Sequence, residues 1–207
     1  MNAKVIVIGD VFSLSEKKHL NLFILKIAHK VSKLLKIKNK SIYFTVYRFN
    51  KYKINGGFKK AKDWIEITIP PGKMDYKDLE GILYHEMHHI ARGYSGMMER
   101  GELSLLDTVF SEGLATAFEV EQVPHRLPKY ARHTPSLIKK WLPRMAQKFS
   151  STKFNYREWF HGQGKPKQLG YKIGKYLVDE IIKRNPSQTP STLARIDSKK
   201  LLKMSGY

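Results

Sequence analysis

Hydrophobic positions change period along this chain, and each change marks an expected element. Residues 5–8 predict a short strand. From Ser15 onward Leu20, Phe23, Ile24, Ile27, Val31, Leu34 and Leu35 recur at helical spacing with lysines on the opposite face, so a long amphipathic helix is expected, with His19 and His29 off its apolar stripe. Residues 41–49 and 63–69 alternate and are rich in Ile, Tyr, Val and Thr, which predicts two half-buried strands, with Gly56-Gly57 as a turn between them. Pro70-Pro71 closes the second strand. Leu79, Ile82 and Leu83 then restore a helical stripe whose next positions are Glu86, His89 and Ile90. A second amphipathic helix is expected over 105–115. The proline-marked basic connection over 123–135 breaks the pattern, and its loop histidines, His125 and His133, are not expected to be ligands. Further helices are expected over about 136–148, 170–183 and 193–204, with a polar stretch containing Trp159-Phe160-His161-Gly162 between the first two. There is no internal repeat.

Composition turns this order into an expected fold class. The 207 residues, 42% of them hydrophobic and 12% aromatic, suit one α+β domain with its own core. Within residues 1–207, residues 1–72 would supply an N-terminal helix and small mixed sheet, 73–122 two site helices, and 123–207 a mostly helical remainder. No stretch approaches the roughly 20 apolar residues of a membrane span. The N-terminal apolar run is too short for a signal-peptide core and no small-residue cleavage pattern follows it, so a cytoplasmic protein is expected.

The formal charge of +20 is unevenly distributed. Residues 1–62 carry 15 basic against 2 acidic residues, a net of +13; residues 63–122 carry 4 against 12, a net of −8; residues 123–207 carry 19 against 4, a net of +15. Such basic arms around an acidic centre could draw a polyanion, either nucleic acid or an anionic membrane surface. A lysine-rich solvated surface is the simpler reading, because no aromatic-plus-basic nucleic-acid motif accompanies the charge.

The acidic middle carries the chemistry. His85-Glu86-Met87-His88-His89 reads H-E-x-x-H, and residues four apart lie on one helix face, so His85 and His89 can present imidazoles to one metal ion. Glu86 lies about 100° round the helix, where it can reach a metal-bound water without entering the coordination sphere. Burying such groups without partners would cost several kcal/mol, on the order of 2–7 for each neutral polar group, so a metal or a hydrogen-bond network is implied. A catalytic zinc takes three protein ligands and leaves a position for water. With no cysteine in the chain, thiolate ligands are excluded along with disulfides. Glu112, set among Val109, Leu114 and Phe118, is the candidate third ligand, and the small Gly113 and Ala115 would let its helix approach the first. His88 cannot replace His89 without removing Glu86 from its usual relation to the water, and is expected to be a supporting or surface residue.

His85-Glu86-Met87-His88-His89 followed by Ser111-Glu112-Gly113-Leu114-Ala115 resembles the gluzincin pattern, most closely that of the YjaZ-type predicted zinc-dependent proteases, over roughly residues 56–182. The resemblance implies a zincin-like fold, with a small mixed sheet packed on the H-E-x-x-H helix. It also implies Zn2+ held by His85, His89 and Glu112, Glu86 as the catalytic carboxylate, and a protein or peptide substrate. Its H-E-x-H-H form agrees with the placing of His88. The family pattern includes a Gly-Tyr pair near Gly170-Tyr171, which makes Tyr171 the candidate oxyanion donor, with His161 a weaker rival. Resemblance further implies that the strand over 64–69 is an edge strand that binds extended substrate by strand addition. Zinc-dependent peptide hydrolysis is the expected function. The alternatives are a non-catalytic binding protein on the same zinc fold and a DNA-associated protease resembling the SprT type, guided by the basic flanks.

Overall fold

A serine and a glutamate set the start of the longest helix. The Ser13 hydroxyl accepts the Glu16 N–H at 3.1 Å and the Glu16 carboxylate accepts the Ser13 N–H at 2.8 Å, a reciprocal cap that opens α1 (Leu14–Leu34). The Ser13 hydrogen bonds, reinforced by Arg48, hold the Glu16 carboxyl below its usual range. The computed structural model describes residues 2–9, 12–38, 41–48, 56–72, 74–93 and 103–207. These divide into two compact units, Met1–Met98 and Glu99–Tyr207. The boundary falls inside the segment expected to carry both site helices.

Among its described residues the first unit is a four-stranded mixed sheet with two helices. Its strands are β1 (Asn2–Val7), β2 (Ser41–Arg48), β3 (Gly56–Ala61) and β4 (Trp64–Ile69), followed by α2 (Tyr76–Arg92). The spatial order is β1-β2-β4-β3, with β1, β2 and β4 parallel and β3 antiparallel to β4. Parallel strands need a crossover, and α1 supplies the one between β1 and β2. Ile42, Phe44 and Val46 of β2 and Ile65, Ile67 and Ile69 of β4 share one fully buried face. Leu20, Ile24 and Val31 of α1 and Leu79, Leu83 and Met87 of α2 complete this core, with α2 lying against α1 and β3.

Two expectations about the sheet are corrected here. Gly56-Gly57 is the start of β3 rather than a turn, and its sequence Gly-Gly-Phe-Lys-Lys-Ala lacks the alternation that reveals a strand. Backbone pairing to β4, with a register shift between Lys59 and Ala61, defines it instead. Consequently 64–69 is no edge strand: β4 is hydrogen-bonded to β2 on one side and β3 on the other, and the edge beside α2 is β3.

The second unit is helical, with no strand among its described residues: α3 (Leu105–Gln122), a 3-10 turn (Lys129–Ala131), α4 (Pro135–Ala146), a single π-helical turn (Arg157–His161), α5 (Leu169–Arg184), α6 (Pro190–Leu193) and α7 (Ser198–Ser205). Its closest packing is α3 on α5. A Cβ on Gly113 would stand 2.3 Å from the Gly174 carbonyl carbon, and one on Gly174 would stand 2.2 Å from the Val109 oxygen, so backbone meets backbone at this crossing. The small size of Gly113 therefore serves the contact with α5. Among the described residues no helix is long and apolar enough to cross a membrane.

Candidate metal centre

The loop leading into α2 is tied down before the helix begins. The Arg48 guanidinium donates to the Pro70 carbonyl at 3.3 Å, the Gly72 carbonyl at 3.0 Å and the Glu16 carboxylate at 2.8 Å, while stacking 4.7 Å above the Phe12 ring. Asp75 then caps α2 by accepting the Lys77 and Asp78 N–H groups, and Gly93, in the left-handed region at φ 83°, ends it by donating to the His89 and Ile90 carbonyls. Both ends of the helix that carries H-E-x-x-H are thus fixed.

Its second half is buried continuously from Gly81 to Ile90. His85 is 7% exposed, Glu86 8% and His89 8%. The two imidazoles face each other edge to face with centroids 5.0 Å apart, as the four-residue spacing requires. Tyr84 is fully buried, with the Lys30 ammonium 5.5 Å over its ring. The nearby Tyr84 hydroxyl raises the Lys30 pKa. His88 is 0% exposed. The surface half of the expectation for it therefore fails, because α2 is enclosed all round at this level.

In the second unit Ser104 and Asp107 form the reciprocal cap that starts α3. Two turns on, Glu112 is half-buried and accepts a hydrogen bond from the Tyr156 hydroxyl at 3.2 Å. With its one proton given to Glu112, that hydroxyl accepts from the Tyr171 hydroxyl at 3.3 Å, so carboxylate and two phenols form one chain. Aromatic packing holds it. Tyr156 stacks on Phe160 at 4.4 Å and 13°, Phe160 meets Tyr171 edge-on at 5.5 Å, and Gly170 gives Phe160 room, since a Cβ there would stand 2.3 Å from its ring. This explains the Gly-Tyr pair physically. The π-helical turn after Tyr156 places His161 at the surface, its ring 5.4 Å from that of Tyr156.

Tyr156 was not found from sequence, because it follows no helical or strand period. Its one signal was a tyrosine beside Trp159-Phe160, where a buried aromatic body needs a partner for its hydroxyl. Glu119, also missed, lies seven residues beyond Glu112 on the same helix face and is fully buried. It accepts from the Tyr130 hydroxyl at 2.6 Å and pairs with Arg126, which makes it a structural carboxylate.

Ligand atoms of His85, His89 and Glu112 all lie within 4.8 Å of one another, a group that could hold a metal ion. Two imidazoles and a carboxylate suit zinc, and three protein ligands leave a coordination position for water or substrate. His88, His125, His133 and His161 do not belong to that group. No curated protein matches the chain. A family model described as predicted Zn-dependent protease (DUF2268) matches residues 20–203, and with that span matched the chain belongs to this family of predicted Zn-dependent proteases.

Proposed function

We propose that residues 1–207 work as one zincin-like domain, a gluzincin-type zinc metallopeptidase that hydrolyses peptide bonds in protein substrates. The observation that carries the reading is the His85, His89 and Glu112 group, whose ligand atoms lie within 4.8 Å of one another. When bound there, zinc would polarise the scissile carbonyl and lower the pKa of a water toward about 7. Glu86, adjacent to the first ligand and 8% exposed, has the position of the general base: its carboxylate takes a proton from the attacking water and returns it to the leaving amine. Tyr171, once its hydroxyl turns its proton from Tyr156 to the carbonyl oxygen, is the candidate donor there as charge develops. Tyr156 fixes Glu112 Oε1 and holds the Tyr171 hydroxyl at the same time, a supporting role of the kind that orients metal-binding carboxylates. Extended substrate has a backbone to pair with on β3, the edge strand beside α2.

The decisive test is Glu86→Gln, which keeps size and removes the base. Zinc content and fold should be retained, while cleavage of an unfolded protein falls by about 100-fold or more. New protein termini, profiled across cells expressing wild type or Glu86→Gln, extend the test to a narrow substrate range. Identical profiles with zinc bound would overturn the peptidase reading in favour of a non-catalytic zinc-fold binding protein.

A further inference from the structure

The sheet has a second edge, at β1, opposite β3. The Ile8 N–H donates to the Val46 carbonyl of β2 at 2.7 Å. Backbone groups alternate sides along a strand, so the N–H and C=O of Ala3, Val5 and Val7 point away from β2 along an edge of about 20 Å. Among the described residues no strand pairs with them. On the core face the same residues are apolar yet only half-buried, while Phe44 and Val46, their register partners on β2, are fully buried. A groove of about 370 Å³ runs there, lined by Val5 and Val7 of β1 and by Lys17, Lys18, Asn21 and Leu22 of α1. Leu22 is 61% exposed.

From this geometry we infer that the β1 edge is a docking site for an extended acidic segment of a protein partner, added to the sheet as a fifth strand. Peptide backbone matches the alternating donors and acceptors of Val5 and Val7. Side chains on its inner face would lie over Val5, Val7 and Leu22, and its carboxylates would meet Lys17 and Lys18. Charge selects against a second copy of this chain, because two-fold pairing of β1 with β1 would bring Lys4, Lys17 and Lys18 against their equivalents. The site is separate from the proposed catalytic residues and does not depend on their role.

The test uses the full chain carrying Glu86→Gln, so that a probe is bound and not cut. The probe is a blocked, fluorescent ten-residue peptide alternating Val with Asp or Glu, followed by anisotropy. Saturable binding is expected, weakened by about tenfold or more in K17E/K18E, and absent for the same peptide with Lys in place of its acids. Val5→Pro removes an outward N–H that β2 does not use, a change edge strands tolerate, and should abolish binding. Peptides N-methylated on alternate residues check this without altering the protein: only the set facing β1 should fail. Equal loss for both sets, or no binding by the acidic peptide, would overturn the inference. So would an oligonucleotide or anionic vesicle competing through the same lysines with no effect of Val5→Pro, or a Val5→Pro-sensitive dimer in sedimentation.

Discussion

The two site helices bury ionisable groups by opposite means. On α2 the groups are crowded: Tyr84, His85, Glu86, His88 and His89 fall within six buried residues, and the helix needs fixed ends and an enclosing core to keep them there. On α3 they are sparse. Glu112 and Glu119 are seven residues apart on α3, and each receives a hydroxyl from later in the chain, Tyr156 for the first and Tyr130 for the second. Glu119 also has a guanidinium, from Arg126. A dense motif announces its own chemistry, whereas a lone buried carboxylate is defined by what reaches it.

Metal retention gives the largest expected effect and the sharpest break. If the proposed ligand set is right, His85→Ala and Glu112→Ala should each lower zinc affinity by more than the roughly 10–100-fold that losing a supporting partner costs. His88→Ala, on the same crowded helix, should lose stability through its cavity but keep the metal. Elemental analysis of protein purified without chelator or metal-affinity tag decides between them. Zinc lost from His88→Ala and kept in His89→Ala would overturn the ligand assignment.

Packing separates the helices next. Gly113→Ala and Gly174→Ala drive a methyl into backbone that cannot rotate away, and each should cost about 3 kcal/mol or more in chemical denaturation, the upper end for overpacked cores. Met87→Leu on α2 conserves volume in a side-chain contact and should cost less than about 1.5 kcal/mol. Similar costs for all three would mean that the α3–α5 crossing is looser than its geometry implies.

The tyrosines test the carboxylates themselves. Tyr130→Phe leaves fully buried Glu119 short of a hydrogen bond to a charged group, and should cost about 1.5–3 kcal/mol of stability with zinc content unchanged. Tyr156→Phe should do the reverse: a stability change within about 1 kcal/mol, and a loss of about tenfold in zinc affinity. Exchange of these two outcomes would reverse the roles given to Glu112 and Glu119.

Legibility followed the same divide. The helices over α1, α2 and α5 and the strands β2 and β4 could be read from the chain because one face of each is apolar at a regular period, and His85 and His89 as a metal-binding pair because histidines four apart share one helix face. Glu112 was readable from its apolar neighbours Val109, Leu114 and Phe118. What could not be read depends on contacts between distant residues. β3 is a strand through pairing with β4, which moved the expected edge away from 64–69. Gly113 is small for Gly174, sixty-one residues later. Tyr156 reaches Glu112 by a hydrogen bond that spans forty-four residues of chain.

The smallest effects lie at the helix starts, and they too distinguish the pair. Asp75 caps α2 with one carboxylate accepting two N–H groups, at 3.0 and 3.1 Å. At α3 the cap is reciprocal: Ser104 Oγ accepts the Asp107 N–H at 3.1 Å, while Asp107 Oδ2 accepts the Ser104 N–H at 3.1 Å and its hydroxyl at 2.6 Å. Asp75→Ala should cost about 1 kcal/mol, the usual value for a lost cap. Ser104→Ala removes one member of a part-buried pair and should fall nearer 2 kcal/mol, the upper end of the same range. Because the two residues act through each other, the double variant Ser104→Ala/Asp107→Ala should cost less than the sum of its single variants, by about 0.5 kcal/mol or more. Strict additivity in that cycle would show the reciprocal bonds contributing independently, and the start of α3 would then be no more cooperative than that of α2.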